Sequence, residues 1–146
     1  MKTLHEIYHS HKDKVPSKKK VVTKTDWELY QESKNRKQSK MRNKRVVIDG
    51  INFHSTGEGN YYLELKDRLL RGQIKSFKRQ VKFELIVNGK EITSYISDFV
   101  VENFDGSLEV LDWKSSFTAK LDLYRIKKAL MFAIYSIMIK EVGIKK

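Results

Sequence analysis

The chain has 146 residues, and its 30 Lys and Arg residues outnumber its 18 Asp and Glu residues, which gives a formal charge of +12. This length suits one domain with a substantial core and is too short for two ordinary domains. With 40% hydrophobic residues and no cysteine, the composition excludes a wholly disordered chain, a disulfide scaffold, a thiolate metal site and a Cys nucleophile. The longest apolar run, residues 129–139, is shorter than a membrane span, and no signal peptide is recognisable, so we expect a soluble intracellular protein.

Most of the positive charge lies in residues 1–45, which hold 14 basic and 5 acidic residues, a net charge of +9. The apolar residues of this segment show no sustained period, which predicts a largely flexible basic arm with a short helix near residues 26–33. A polyanion is the simplest partner, because each phosphate contact releases condensed counterions. A solubilising tail and a contact with a membrane surface are the alternatives. The candidate nucleic-acid contacts of the arm are Lys18, Lys19, Lys20, Arg42, Lys44 and Arg45.

Residues 46–146 have the pattern of a folded domain. Asp49 and Gly50 separate two short apolar runs, which predicts a tight hairpin over residues 46–53. Ser55 followed by Glu58 is a capping box, which predicts a helix starting at Ser55, and Gly72 is expected to end it.

Three strands are predicted next, at residues 81–87, 92–101 and 108–113, joined by turns at residues 88–89 and 105–106. A long buried helix is expected over residues 120–137, followed by a short edge strand within residues 139–144. This order predicts an α+β fold, in which a mixed central β-sheet is flanked by helices.

The apolar positions of the long helix recur at helical spacing and include Ile126 and Leu130, which we expect to face the core. On that basis Arg125, Lys127 and Lys128 point outward, where they either line a DNA channel or form an ordinary solvated face.

Two acidic residues and a lysine stand out on neighbouring predicted strands. Asp98 interrupts an apolar strand, and Asp112 and Lys114 project from one face of the next strand, one pleat apart. Such carboxylates suit Mg²⁺, and a lysine beside the metal helps to orient or deprotonate an attacking water. Glu58 would add a third carboxylate. Each has a simpler interpretation, since Asp98 can mark a strand end or bulge, Asp112 and Lys114 can be a surface ion pair, and Glu58 is explained by its capping role.

Several ordered segments carry a resemblance to a known superfamily. They are the residues 49–55, Glu58 with residues 61–62 and 65–66, residues 72–74, 80–83 and 95–99, and residues 112–114. Together they resemble the PD-(D/E)xK nucleases, and within them a phage-encoded, uncharacterised family of small Holliday-junction-resolvase-like endonucleases. The resemblance covers about 90 residues of the chain and implies a restriction-endonuclease-like core.

The resemblance also implies roles for single residues. Glu58, Asp98 and Asp112 match the metal-binding acids of the superfamily, and Lys114 matches its catalytic lysine. Gln80 matches a recurrent polar position of the phage family. Ser97 stands where the superfamily usually has proline, and Trp113 and Ser115 replace a small aliphatic residue and a glycine. Separately, His54 lies near Glu58 in the sequence, where it would either contact a phosphate or be a surface turn residue.

The expected function is a Mg²⁺-dependent DNA endonuclease, with Mn²⁺ able to substitute. Because no base-reading element is evident, we expect selection of branched DNA such as a Holliday junction, by a homodimer that makes two symmetric cuts during phage DNA recombination. Its location would then be the cytoplasm of a bacterial host cell. The alternatives are a non-catalytic nucleic-acid-binding module and a phage adaptor protein that binds an acidic partner through residues 1–45.

Overall fold

The computed structural model describes residues 2–13, 44–116 and 118–143. The chain divides into two compact units, one formed by Met1–Asp13 with Asn60–Lys146 and the other by Lys14–Gly59. Most of the predicted basic arm, including its short helix and Lys18, Lys19, Lys20 and Arg42, lies outside the described residues. Within the described residues, no helix is both long enough and apolar enough to cross a membrane.

Helices and strands follow one another in an α+β order. The helices are α1 (Leu4–Ser10), α2 (Thr56–Leu70) and α3 (Asp122–Tyr135). The strands are β1 (Val46–Ile48), β2 (Ile51–Phe53), β3 (Ser76–Val87), β4 (Lys90–Glu102), β5 (Leu108–Trp113) and β6 (Lys140–Val142). The last four strands form one sheet in the order β3-β4-β5-β6, in which β6 runs parallel to β5 and the other pairs are antiparallel. The predicted fold class, a mixed sheet flanked by helices, is confirmed.

The predicted hairpin turns are confirmed by backbone geometry. Asp49 and Gly50 have φ angles of 52° and 75°, and Asn88 and Gly89 have φ angles of 50° and 77°. Two successive positive φ angles define the turn that matches the twist of a tight hairpin, which is why Asp-Gly and Asn-Gly predict these connections well.

Strand β3 starts five residues before its predicted start and contains a left-handed residue, Gln80, with a φ of 52°. The alternation of faces shifts at this position. Lys78 lies 4.6 Å from the ring centre of Tyr8, and Val81, three residues later, belongs to the same buried cluster as Tyr8. In a regular strand these two residues would lie on opposite faces. The alternation of buried and exposed residues that predicts a strand is therefore regular only after Gln80, which is why the predicted strand starts at residue 81.

Helix α1 belongs to the core of its unit, although the sequence analysis placed residues 4–10 in the basic arm. Tyr8 is 1% exposed, and its hydroxyl lies 2.7 Å from the Ser76 hydroxyl of β3. The Lys78 ammonium donates to the Tyr8 carbonyl at 2.6 Å. The helix has only seven residues, too few for a period to be visible, but a capping box formed by Thr3 and Glu6 marks its start.

The outer edge of β3 is covered by hydrogen bonds from neighbouring side chains. The Arg79 amide donates to the Asp13 carboxylate at 3.3 Å, and His11 Nε2 lies 2.8 Å from the Arg79 carbonyl oxygen. Further along, the Tyr135 hydroxyl donates to the Glu84 carbonyl at 2.6 Å. Backbone groups that an edge strand leaves unpaired are thus satisfied by the segment after α1 and by α3.

Helix α3 packs on the sheet through a different face from the predicted one. Tyr124 and Met131 are buried, whereas Leu123 and Ile126 are exposed and Leu130 is half-buried. The prediction that Ile126 faces the core is therefore wrong. From residue 129 onward the helix is apolar on nearly every side, so the periodicity did not distinguish the face toward the sheet from the face toward solvent.

A buried carboxylate links β4 to β3 and makes stability depend on pH. Glu102 accepts hydrogen bonds from the Lys75 ammonium and the Ser76 hydroxyl, both at 2.8 Å. These bonds, that from Lys75 first, hold the pKa of Glu102 below its ordinary value of 4.5.

We therefore expect the Glu102 contribution to stability to be present at pH values above 4.5 and to be lost as the pH falls through the lowered pKa. Glu102→Gln should weaken the fold at neutral pH and flatten the decline in stability on the acid side. Urea unfolding of both proteins between pH 7 and about pH 3 tests this. Parallel declines in the two proteins would contradict it.

Candidate active site

Asp112 and Lys114 form an ion pair on one face of the sheet, as strand alternation predicts. Asp112 is fully buried, and its Oδ1 atom accepts a hydrogen bond from the Lys114 ammonium at 2.7 Å. Its Oδ2 atom accepts a hydrogen bond from the Tyr95 hydroxyl of β4 at 2.9 Å. The neighbouring Trp113 lies on the opposite face, where its ring is 5.9 Å from Tyr61 of α2. The carboxylate of the pair is therefore buried, whereas the Lys114 side chain remains 22% exposed.

Two tyrosines surround the carboxylate of Asp112. Burial, followed by the charge of Asp112, raises the pKa of the Tyr95 hydroxyl far above its usual range, so it stays a proton donor to Asp112. Burial and the charges of Asp112 and Glu141 likewise raise the pKa of the Tyr124 hydroxyl. The Lys114 ammonium lies 5.1 Å from the centre of the Tyr124 ring, which gives it a cation–π contact besides its ion pair.

A second acid–lysine pair lies beside the first. Asp112 and Glu141 are direct neighbours across the parallel strands β5 and β6. The Lys128 ammonium of α3 donates to Glu141 at 2.7 Å. We call the six residues of this face the Asp112 cluster. Its members are Tyr95, Asp112, Lys114, Tyr124, Lys128 and Glu141.

Asp98 is held against the backbone of β5. Its Oδ2 atom accepts a hydrogen bond from the Trp113 amide at 2.8 Å. Strands β4 and β5 are paired from Phe99 with Leu111 to Glu102 with Leu108. Just outside this paired region, the carboxylate of Asp98 accepts the hydrogen bond that a backbone carbonyl of β4 would otherwise accept. Asp98 therefore lies within β4 and not at its end, at the point where pairing with β5 begins, and its carboxylate reaches the residue between Asp112 and Lys114.

Gln80 lies opposite Asp98 in the sheet. On one side of them Arg79 pairs with Phe99, and on the other side Val81 pairs with Ser97. Gln80 is exposed, and its left-handed backbone makes the irregularity in β3. The recurrent polar position of the resemblance thus coincides with the point at which β3 and β4 change faces.

Glu58 and His54 belong to the other compact unit, which is described by itself. Glu58 is buried, its amide donates to the Ser55 hydroxyl at 3.1 Å, and its carboxylate accepts from the His54 amide at 3.2 Å. The Ser55 half of the predicted capping box is confirmed, but the Glu58 carboxylate accepts from the His54 amide and not from the Ser55 amide as a capping box requires. Gly59 leaves room for the hairpin side chains, because a Cβ atom on it would lie 2.8 Å from Cγ1 of Val46.

The cations of α3 do not all point outward. Arg125 is exposed and lies 3.6 Å from Asp122, whereas Lys127 is half-buried. Lys128 turns toward β6 and pairs with Glu141. We expected Arg125, Lys127 and Lys128 to point outward because Ile126 was expected to face the core. Since Ile126 is exposed instead, Lys128 lies on the side of the helix that faces β6, and the expectation is wrong for Lys128. Lys44 and Arg45 of the arm are exposed.

The donor chemistry at Asp98 and Asp112 fits a hard cation, since both offer carboxylate oxygens. A divalent ion at Asp112 Oδ1 would take the place of the Lys114 ammonium. Among the described ranges 2–13, 44–116 and 118–143, no three His, Asp or Glu side chains are grouped as a ready metal site.

Tyr95, Tyr124 and Glu141 were missed by sequence reasoning. Regular alternation would place Tyr95 and Val100, five residues apart on β4, on opposite faces, but both belong to one buried cluster, so β4 changes faces between them and Tyr95 can reach Asp112. Glu141 lies in a predicted edge strand, but parallel pairing with β5 has no local signal in the sequence.

Searches of curated proteins and of solved structures gave no match. A family model described as "Protein of unknown function (DUF1064)" matches residues 38–142, well over half of the chain and all of the Asp112 cluster. The chain therefore belongs to the DUF1064 family.

Proposed function

We propose that the chain is a metal-dependent DNA endonuclease that hydrolyses phosphodiester bonds. The observation that carries this proposal is the buried carboxylate of Asp112 paired with the Lys114 ammonium at 2.7 Å, with Asp98 bonded to the residue between them. An acid-x-lysine arrangement on a strand end, beside a second carboxylate, is the combination expected for hydrolysis at a phosphate.

Each residue has a role in this proposal. Asp98 and Asp112 would hold Mg²⁺ or Mn²⁺, which when bound stabilises negative charge on the phosphate and lowers the pKa of water. Lys114 offsets phosphate charge and orients the attacking water. Tyr95 keeps Asp112 in place through its hydrogen bond. Glu58 is proposed as a third acid on the resemblance alone.

The substrate we propose is branched DNA, such as a Holliday junction formed during phage DNA recombination in the cytoplasm of a bacterial host. The positive charge of +12 favours a polyanionic partner. The choice of branched over plain duplex DNA rests on the resemblance to small resolvase-like endonucleases.

A non-catalytic nucleic-acid-binding module is the second candidate. It is favoured by the bonding of Asp112, whose two oxygens already accept hydrogen bonds from Lys114 and Tyr95. In this alternative the ion pair of Asp112 and Lys114 only stabilises the fold, and the basic residues of the chain bind the nucleic acid.

A cleavage assay separates the two candidates. Labelled four-way junction, flap, single-stranded and duplex DNA are incubated with the full chain in Mg²⁺, in Mn²⁺ and in chelator, next to Asp112→Asn. The nuclease proposal predicts metal-dependent cutting that falls at least ~100-fold in Asp112→Asn while DNA binding is retained. Binding of DNA without cutting of any substrate in either metal would overturn it, and equal cutting of all duplexes would remove the selectivity for branches.

A further inference from the structure

The solvent-facing side of α3 is apolar along most of its length. Leu123, Ile126 and Phe132 are exposed, and so are Ala129 and Ala133 between them. At 100° per residue these positions span about half of the helix circumference, opposite the buried Tyr124 and Met131. An exposed apolar surface of this extent on a helix is typical of a protein interaction site.

The exposed apolar area matches the apolar part of one ordinary protein interface. With Leu121 at the start of α3, the large apolar residues of this face expose roughly 450 Å², which is within the range of the largest patch of a monomeric protein, a patch that is often functional. A standard interface buries about 800 Å² on each partner, of which a little over half is apolar. The patch therefore supplies the apolar part of one such interface.

The chemistry of this face fits a second copy of the same surface. Ala129 and Ala133 lie one turn apart at its centre, where small side chains let another helix approach closely. Its charges, Asp122 and Arg125, lie 3.6 Å apart at one end and compensate each other. A polyanion needs cations and finds none at the centre of this face, whereas an apolar, neutral face is self-complementary about a two-fold axis.

We propose that the outward face of α3, from Leu123 to Ala133, forms an isologous dimer interface with α3 of a second copy. The oligomeric state is measured without any nuclease readout, so the result stands whether or not the chain cleaves DNA.

Light scattering with size-exclusion chromatography and sedimentation equilibrium on the full chain test this proposal. The wild-type chain is expected to be a dimer, and Ile126→Glu is expected to raise the dissociation constant at least ~100-fold, because it buries two carboxylates in an apolar interface. The matched control is Ile92→Glu on β4, since Ile92 and Ile126 are both 56% exposed. The control should remain a dimer, and circular dichroism should show both variants folded.

A cross-linking measurement gives an independent readout. Because the chain has no cysteine, Ala133→Cys introduces the only thiol of each copy. A short bis-maleimide should join two Ala133→Cys chains into a covalent dimer and should leave Ile92→Cys monomeric on a denaturing gel. A monomeric wild-type chain, a dimer that survives Ile126→Glu, or equal cross-linking at both positions would overturn the proposal.

Discussion

Replacing Lys114 with methionine is expected to abolish DNA cleavage and to lower the free energy of unfolding by about 3 kcal/mol. Methionine keeps most of the length of lysine but removes the charge, so the fully buried carboxylate of Asp112 loses its ammonium partner and keeps the hydrogen bond from the Tyr95 hydroxyl. Breaking a buried pair from one side is strongly destabilising. Loss of the ammonium removes charge stabilisation at the phosphate, so cleavage should fall at least ~100-fold.

The double variant Asp112→Asn with Lys114→Met separates the two effects. Removing both charges should recover much of the unfolding free energy while cleavage stays lost. Lys128→Met is the matched control, because Lys128 also forms a 2.7 Å pair but is about twice as exposed as Lys114, at 43% against 22%. We expect it to cost less than about 1 kcal/mol. Urea unfolding and the cleavage assay measure both quantities, and wild-type cleavage by Lys114→Met would refute the assigned role.

Replacing Tyr8 with alanine is expected to lower the free energy of unfolding by about 3–5 kcal/mol. The change removes a fully packed aromatic ring, its hydrogen bond to Ser76 and its contact with the Lys78 ammonium. Ser76 in turn donates to the buried Glu102, so the loss extends to the end of β4.

His9→Ala on the same helix is the control for Tyr8→Ala, because His9 is exposed and its replacement should change stability by less than about 0.5 kcal/mol. Thermal and urea unfolding of the full chain measure both variants. Equal stability of the two would show that α1 is not part of the cooperative unit.

The fold was predictable where local chemistry decides structure. The Asp-Gly and Asn-Gly turns predicted the hairpins, and β5 has the limits expected for the strand that follows the turn at residues 105–106. Helix α1 was not predicted, since its contribution is a long-range contact of Tyr8 with β3. The buried face of α3 was predicted wrongly, because apolar residues on nearly all sides of a helix do not specify its orientation.

The candidate site was likewise predictable where it depends on local strand geometry, and not where it depends on tertiary contacts. Alternation alone placed Asp112 and Lys114 on one face, and Asp98 lies on the neighbouring strand as expected. The partners Tyr95 and Glu141 depend on the face shift at Gln80 and on parallel pairing with β6. Both are tertiary features, and neither leaves a pattern in the nearby sequence.

The covered edge of β3 also bears on how the protein behaves at high concentration. A four-stranded sheet has two open edges, and intermolecular strand pairing at such edges is a common start of aggregation. Here one edge has its Arg79 and Glu84 backbone groups occupied by His11, Asp13 and Tyr135, and the other is the three-residue β6. We expect this four-stranded sheet to resist growth by strand addition at both ends.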